Sequence, residues 1–299
     1  MLKKSILLEN KTAIKLKNNQ LQIESETRSA AIPVEDIGFI VLDHPEIFIS
    51  IPAMNYLIEN NAAVIICGAN HLPNGMFLNL NSHHIQQEIF KNQMDASVPL
   101  KKQLWQQTII EKITNQGILL EKIENKKNEF GFLASKVLSG DTSNMEGVAA
   151  SQYWKRFFEN SFKRERFGDY PNNFLNYGYA ILRAATARAL AGSGLLNTLG
   201  IHHKSKYNAF ALADDIMEPF RPIVDEAVIK IMQTHEEQEL NTQIKTELLQ
   251  ILTRTVYFKT EKSPLMVALQ KTASSLQQCY TGERKKIKYP KLWNSTATE

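Results

Sequence analysis

Three segments in the second half of the chain carry side chains able to do chemistry together. Gly140-Asp141-Thr142-Ser143-Asn144-Met145-Glu146-Gly147 leads into a helical stretch with Tyr153-Trp154. Leu199-Gly200-Ile201-His202-His203 carries a histidine pair, and residues 212–222 read Leu-Ala-Asp-Asp-Ile-Met-Glu-Pro-Phe-Arg-Pro. Asp215 and Glu218 are three residues apart, and Asp214 and Glu218 four, so either aspartate can share a helix face with the glutamate. Phe210, Leu212, Ile216 and Met217 make the setting apolar. Carboxylates there are costly unless paired or bound to a cation. Carboxylates with one imidazole suit Mg²⁺ or Mn²⁺. Such an ion serves phosphoryl transfer, because it polarises the phosphorus–oxygen bond and neutralises developing charge without a protein nucleophile.

Each segment also has a plainer reading. Ser143 with Glu146 three residues on forms a capping box, in which the glutamate only satisfies a backbone amide. A histidine beside a glycine is an ordinary loop residue, and Asp214, Asp215 and Glu218 can form a solvated acidic face. Pro219 pushes Glu218 away from helical geometry and predicts a break or kink there. Nearby, Lys155-Arg156 and Lys163-Arg164-Glu165-Arg166 are interleaved with Trp154, Phe157, Phe158, Phe162 and Phe167. That pattern is either a helix with an aromatic core face or a phosphate-binding face.

The elements that must position these residues divide the chain in two. Ser5–Leu8, Ala13–Leu16, Leu21–Ile23, Ile37–Leu42, Ala63–Cys67 and Met76–Leu80 read as strands. Asn18-Asn19 suits a tight hairpin, Leu72-Pro73-Asn74-Gly75 a turn, and Ile51–Glu59 a helix with Pro52 in its first turn. Beyond residue 84 helical spacing takes over, in Leu100–Ile113, Ile118–Glu129, Ser151–Phe162, Phe174–Ala191, Ile223–His235, Gln243–Thr255 and Pro264–Cys279. Strands followed by helices predict an α+β chain. Its expected parts are a β-rich domain over 1–82, a connection over 83–94 and an all-α domain over 95–299, with a basic tail from Gly282 that frays.

Composition sets wider bounds. With 299 residues, 43% hydrophobic and 22% charged, the chain can bury a sizeable core, which excludes wholesale disorder. A net charge of +4 neither requires nor excludes nucleic acid, since a basic footprint must be local. Cys67 and Cys279 show no pairing pattern, and the apolar run Ile6–Leu8 ends at Glu9, too short for a secretory signal. No stretch is long enough to span a membrane. A cytoplasmic protein is the expectation.

Taken together the motifs resemble one family. The order Met145-Glu146-Gly147, then Pro171-Asn172-Asn173-Phe174-Leu175-Asn176-Tyr177-Gly178-Tyr179-Ala180-Ile181-Leu182-Arg183, then Leu199 to His203, then Asp215-Ile216-Met217-Glu218-Pro219-Phe220-Arg221-Pro222, is similar to that of the CRISPR adaptation integrases, type II branch. The resemblance runs along essentially the whole chain. It implies an N-terminal β-sandwich-like domain and a helical catalytic domain. It implies Glu146, His203 and Glu218 as catalytic ligands of Mg²⁺ or Mn²⁺, with Asp215 near the site as a further candidate ligand. His203 is preferred to His202 because relatives carry the histidine fifth in that motif. The implied reaction joins the 3′-hydroxyl of a short DNA duplex, the prespacer, to a phosphodiester at a CRISPR repeat boundary. Arg183, Lys163, Arg164 and Arg166 are candidates for DNA phosphate, with Arg221 weaker; Arg183 could instead only salt-bridge the acidic site. Implied partners are double-stranded DNA, a second copy, a small second-numbered Cas protein bridging two dimers, and in type II systems an effector nuclease and a ring-shaped accessory protein. The alternatives are a general metal-dependent nuclease acting on branched or repair DNA, and a non-catalytic DNA-binding scaffold.

Overall fold

In the computed structural model, which describes residues 3–158, 162–165 and 168–293, the paired asparagines open the architecture. Asn18 and Asn19 adopt φ of 51° and 59°, the left-handed pair whose twist suits two flanking strands. The strands are β1 (Lys4–Leu8), β2 (Thr12–Lys17), β3 (Gln20–Ser25), β4 (Ser29–Pro33), β5 (Ile37–Leu42), β6 (Ile47–Ile49), β7 (Ala63–Cys67) and β8 (Pro73–Phe77). They form one sheet in the order β1-β5-β7-β8 and another in the order β4-β3-β2-β6. Between β6 and β7 lies helix α1 (Ile51–Glu59), capped by Ser50, whose hydroxyl accepts the Ala53 N–H at 3.4 Å.

β5 explains why a run of six apolar residues is needed. Ile37, Ile40 and Leu42 pack with Ile14, Leu21, Ile23 and Leu57 between the two sheets and α1, while Phe39 and Val41 join the core of the helical half. A strand buried on both faces has no polar side to alternate with. The last strand starts earlier than expected. The turn falls at Gly68–Leu72, with His71 at φ 59° and the Asn70 carboxamide accepting the Leu72 N–H at 3.2 Å. Pro73 then enters an edge strand, where a missing N–H breaks no ladder.

The second half holds α2 (Gln86–Met94), α3 (Val98–Glu124), α4 (Phe130–Ser135), α5 (Met145–Phe157), α6 (Asn172–Gly192), α7 (Ala211–Met217), α8 (Arg221–Thr234), α9 (Thr242–Leu249), the hairpin β9 (Thr255–Tyr257) and β10 (Lys262–Pro264), and α10 (Leu265–Tyr280). The architecture is therefore α+β, with a small hairpin inside the helical half. Two expected helices are one: α3 runs unbroken from the Ser97 cap to left-handed Asn125. Gly117 sits inside it because α4 packs against that point, where a Cβ would lie 2.5 Å from Phe130 Cβ. The expected connection is largely taken up by α2, whose Gln93 donates to the Leu196 and Leu199 carbonyls at 3.0 and 3.1 Å. The basic tail does not fray over its described part, since Ile287 and Leu292 are buried and Lys291 bridges to Tyr257. No helix among the described residues is long and apolar enough to cross a membrane.

Candidate active site

The loop before α5 determines where Glu146 points. Asp141, at φ 50°, accepts the Met145 and Glu146 N–H groups at 2.8 and 3.0 Å, and the Asn144 carboxamide accepts that of Gly147 at 3.3 Å. The helix start is thus satisfied by Asp141 and Asn144, and the Ser143–Glu146 capping box does not form. Glu146 is left to turn inward, where its Oε1 accepts from Lys112 Nζ at 2.6 Å.

Glu218 arrives at the same ammonium from the opposite side. It keeps helical angles (φ −50°, ψ −47°) and opens a 3₁₀ turn over Glu218–Phe220 that leads straight into α8. The expected kink at Pro219 is absorbed by this tighter turn, and Asn115 on α3 holds it by donating to the Pro219 carbonyl at 2.8 Å. Glu218 Oε2 lies 2.6 Å from Lys112 Nζ, and Oε1 lies 2.9 Å from Arg221 Nε. The carboxylate is 4% exposed, so the acidic face is not solvated. Burial pushes its pKa up, but Arg221 and Lys112 outweigh burial and hold it below the ordinary value. Burial likewise disfavours the Lys112 ammonium, and Glu218 and Glu146 more than compensate, so Lys112 is raised.

His203 is fixed by Asp215. That carboxylate is wholly buried and accepts the backbone N–H groups of Ile201, His202 and His203 at 2.6, 2.9 and 3.2 Å, plus His203 Nδ1 at 2.5 Å. The hydrogen bond to Asp215, reinforced by its charge against the opposing effect of burial, raises the pKa of His203. With Nδ1–H directed at Asp215, the Nε2 lone pair faces outward, the arrangement in which a second carboxylate orients a ligating histidine. His202 instead stacks flat on Trp105, ring centroids 4.3 Å apart. Asp215 therefore stands behind His203 with its oxygens engaged.

Among the described residues no three His, Cys, Asp or Glu side chains converge as a ready metal site, and Lys112 lies between the two glutamates. The donor set still fits a hard divalent cation. Glu146 and Glu218 already share one positive charge, and the buried Glu218 Oε2 touches that ammonium without an aligned hydrogen bond. Lys112 is the residue at this centre that the sequence motifs did not point to. A signal existed, since Ile109, Lys112, Ile113 and Gln116 lie on one face of α3 whose other members are buried.

Beside this centre a cavity of about 580 Å³ opens between the β7–β8 turn and α6, lined by Asn70, Asn74, Tyr179, Arg164, Arg183 and Arg221. Arg183 makes a bidentate pair with Asp214 at 2.6 and 3.0 Å, the alternative foreseen for it, and remains 40% exposed. Arg164 donates to Asn172 and Asn176 at 2.9 and 2.7 Å and lies over the Tyr179 ring, as does Arg221. Lys163 projects outward, 83% exposed, near Glu165 at 3.1 Å, while Arg166 and Phe167 lie outside the described residues. Arg156 is taken up by Glu124 and Glu129, and Tyr153 and Phe157 are buried, so that aromatic stripe is a core face.

Acids gathered on one cation and arginines around an adjoining opening are suited to a phosphodiester, and the class so defined is a nucleic-acid-processing enzyme. Residues 6–259 match the family model described as CRISPR associated protein Cas1. The chain is 36% identical over 293 residues to the CRISPR-associated endonuclease Cas1 of Neisseria meningitidis serogroup C (strain 8013), covering 97% of this chain and 96% of that one. Its fold is similar to a casposase bound to integration product (22% identity, TM-score 0.79, 96% and 92% of the two chains). It is also similar to part of a Cas6-RT-Cas1–Cas2 complex (20% identity, TM-score 0.73, 98% of this chain and 36% of that one). The chain belongs to the Cas1 family of CRISPR-associated endonucleases. The scaffold alternative is thereby set aside in favour of an enzyme.

Proposed function

We propose that this chain is a spacer-acquisition integrase whose catalytic centre is Glu146, His203 and Glu218. The reading is carried by one observation: Glu146 and Glu218, from separate helices, close on a single cation at 2.6 Å each. These two and His203 would hold Mg²⁺ or Mn²⁺, which supplies Lewis-acid stabilisation of charge developing on phosphate oxygens when bound. Asp215 acts by keeping the Nδ1 proton of His203 in place, which leaves the Nε2 lone pair available to a ligand. The 3′-hydroxyl of a prespacer strand attacks the phosphodiester at the repeat boundary. The new phosphorus–oxygen bond forms as the bond to the 3′-oxygen of the flanking strand breaks, and that 3′-oxygen leaves and takes up a proton in place of the one the attacking hydroxyl gives up. Arg183, Arg164 and Arg221 line the neighbouring cavity and suit its phosphates, with Lys163 and Arg166 further out.

The neighbour solved as a complex with Cas2 supports a Cas2-type partner for this chain, and double-stranded DNA as substrate fits the arginine-lined opening. A homodimer, an effector nuclease and a ring-shaped accessory protein complete the proposed assembly. The division into a β-rich part over 1–82 that dimerises and a catalytic part over 95–299 belongs to the same proposal. Replacing Glu146, His203 or Glu218 with Ala should abolish metal-dependent joining of duplex oligonucleotides into a repeat-bearing plasmid while DNA binding survives. Full joining by E218A would refute the ligand assignment. The relative's endonuclease name favours a second activity, strand hydrolysis with water replacing the 3′-hydroxyl. Product analysis separates the two, since only the integrase yields joined strands.

A further inference from the structure

Lys112 is outside the set of side chains expected to bind a cation, yet its ammonium stands where a cation's charge is needed, 2.6 Å from Glu146 Oε1 and 2.6 Å from Glu218 Oε2. Arg221 faces the other Glu218 oxygen at 2.9 Å. Two carboxylates therefore face two protein cations, and this cluster is balanced in charge before any ion enters. The acids around it have partners of their own. Asp214 is paired with Arg183, Asp141 is engaged by two backbone N–H groups, and Asp215 by three and by His203. A divalent ion entering would meet the Lys112 and Arg221 charges at short range beside a buried glutamate, where little water screens them.

We propose that Lys112 is the built-in cation of this site, that a divalent ion reaches Glu146 and Glu218 only by displacing its ammonium, and that bound DNA phosphate supplies the negative charge that makes the exchange favourable. The displaced ammonium, a compact charge on a flexible stem, then pairs with that phosphate. The inference rests on Glu146 and Glu218 being metal ligands. Its consequence is that metal and DNA load together: each tightens the other by the same factor. A chain without DNA stays poor in metal, and so is kept from random cleavage.

The test measures Mn²⁺ binding to the full chain, by calorimetry and by the paramagnetic resonance of free Mn²⁺, with and without a duplex carrying single-stranded 3′ ends. DNA should tighten Mn²⁺ binding by about tenfold or more, the ordinary scale of coupling between two sites. K112M should bind Mn²⁺ without DNA as tightly as the unaltered chain does with it, and K112R should stay weak. Equal Mn²⁺ affinity of the unaltered chain with and without DNA overturns the proposal, whether or not K112M folds. E218Q, assayed with DNA, isolates the underlying assignment. Unchanged Mn²⁺ affinity in E218Q means that Glu218 is no ligand, whereas lost affinity without any DNA dependence rejects the role of Lys112 alone.

Discussion

Asp225, on α8, offers the most quantitative test of how this core handles charge. It is 1% exposed, accepts from Tyr153 Oη at 2.7 Å and from Tyr179 Oη, and forms no ion pair among the described residues. Burial lifts its carboxyl from 3.8 to about 6, against the downward pull of the two tyrosine hydrogen bonds and of Arg221 and Arg164 at longer range. Each pKa unit is worth about 1.4 kcal/mol, so the ionised form is disfavoured in the folded chain by about 3 kcal/mol. The folded pKa lies above the unfolded one. The contribution to stability is therefore fully present below pH 3.8 and is lost as pH rises through about 6. Asp225→Asn removes the titration and keeps the shape. Its pH-independent loss of hydrogen bonding, about 1 kcal/mol, shifts the whole profile equally. Urea unfolding between pH 4 and pH 8 should show the variant gaining on the unaltered chain by about 2 kcal/mol across that range, most of it between pH 4 and pH 6.5, the remainder of the full difference lying below pH 4. Parallel pH profiles would show that the carboxylate is not penalised by its burial, and the reasoning would fail.

Asp215→Asn should leave the circular dichroism spectrum intact but slow strand joining by about ten- to a hundredfold, because an amide no longer selects the Nδ1–H tautomer of His203; a rate equal to that of the unaltered chain would free His203 from Asp215. Gly117→Ala should destabilise the fold by about 1–3 kcal/mol, since its Cβ would press on Phe130, and an unchanged melting temperature would contradict the α3–α4 packing. Arg183→Ala should reduce the slope of log K for DNA against log salt by about one if the half-exposed guanidinium contacts a phosphate. An unchanged slope would leave Arg183 with Asp214 as its sole partner.

The parts of the fold legible in the sequence are those where periodicity and burial coincide. β5 and β7 read as apolar runs because both faces of their sheet are covered, and α6 reads as a helix because its Asn-Tyr face is continuous. β4 and β6 have no such signature: they are sheet edges, mostly exposed or half-buried, with little to alternate. β9 and β10 are three residues each, below the length at which a period exists. The sequence pattern divides the single helix α3 into two, Leu100–Ile113 and Ile118–Glu129, and the role of Gly117 between them is tertiary, the close approach of a helix that local pattern cannot display.

The site was legible in a more instructive way. An apolar setting around Asp215 and Glu218 requires a compensating charge, and that requirement can be read from residues 210–222 alone. It does not say which charge. Asp215 is stabilised by three backbone N–H groups and an imidazole, so its need is met by loop geometry. Glu218 is met by Arg221, three residues on, and by Lys112, which lies 34 residues before Glu146 on a helix with no acidic motif of its own. A protein ammonium and a divalent ion answer the same electrostatic demand, and the two carboxylates cannot be neutralised by both without excess positive charge. Spacing in the sequence therefore points to a cation site without distinguishing a resident cation from a visiting one. The fold adds the resident, and on the proposal made above a metal-dependent reaction at this centre begins by moving Lys112.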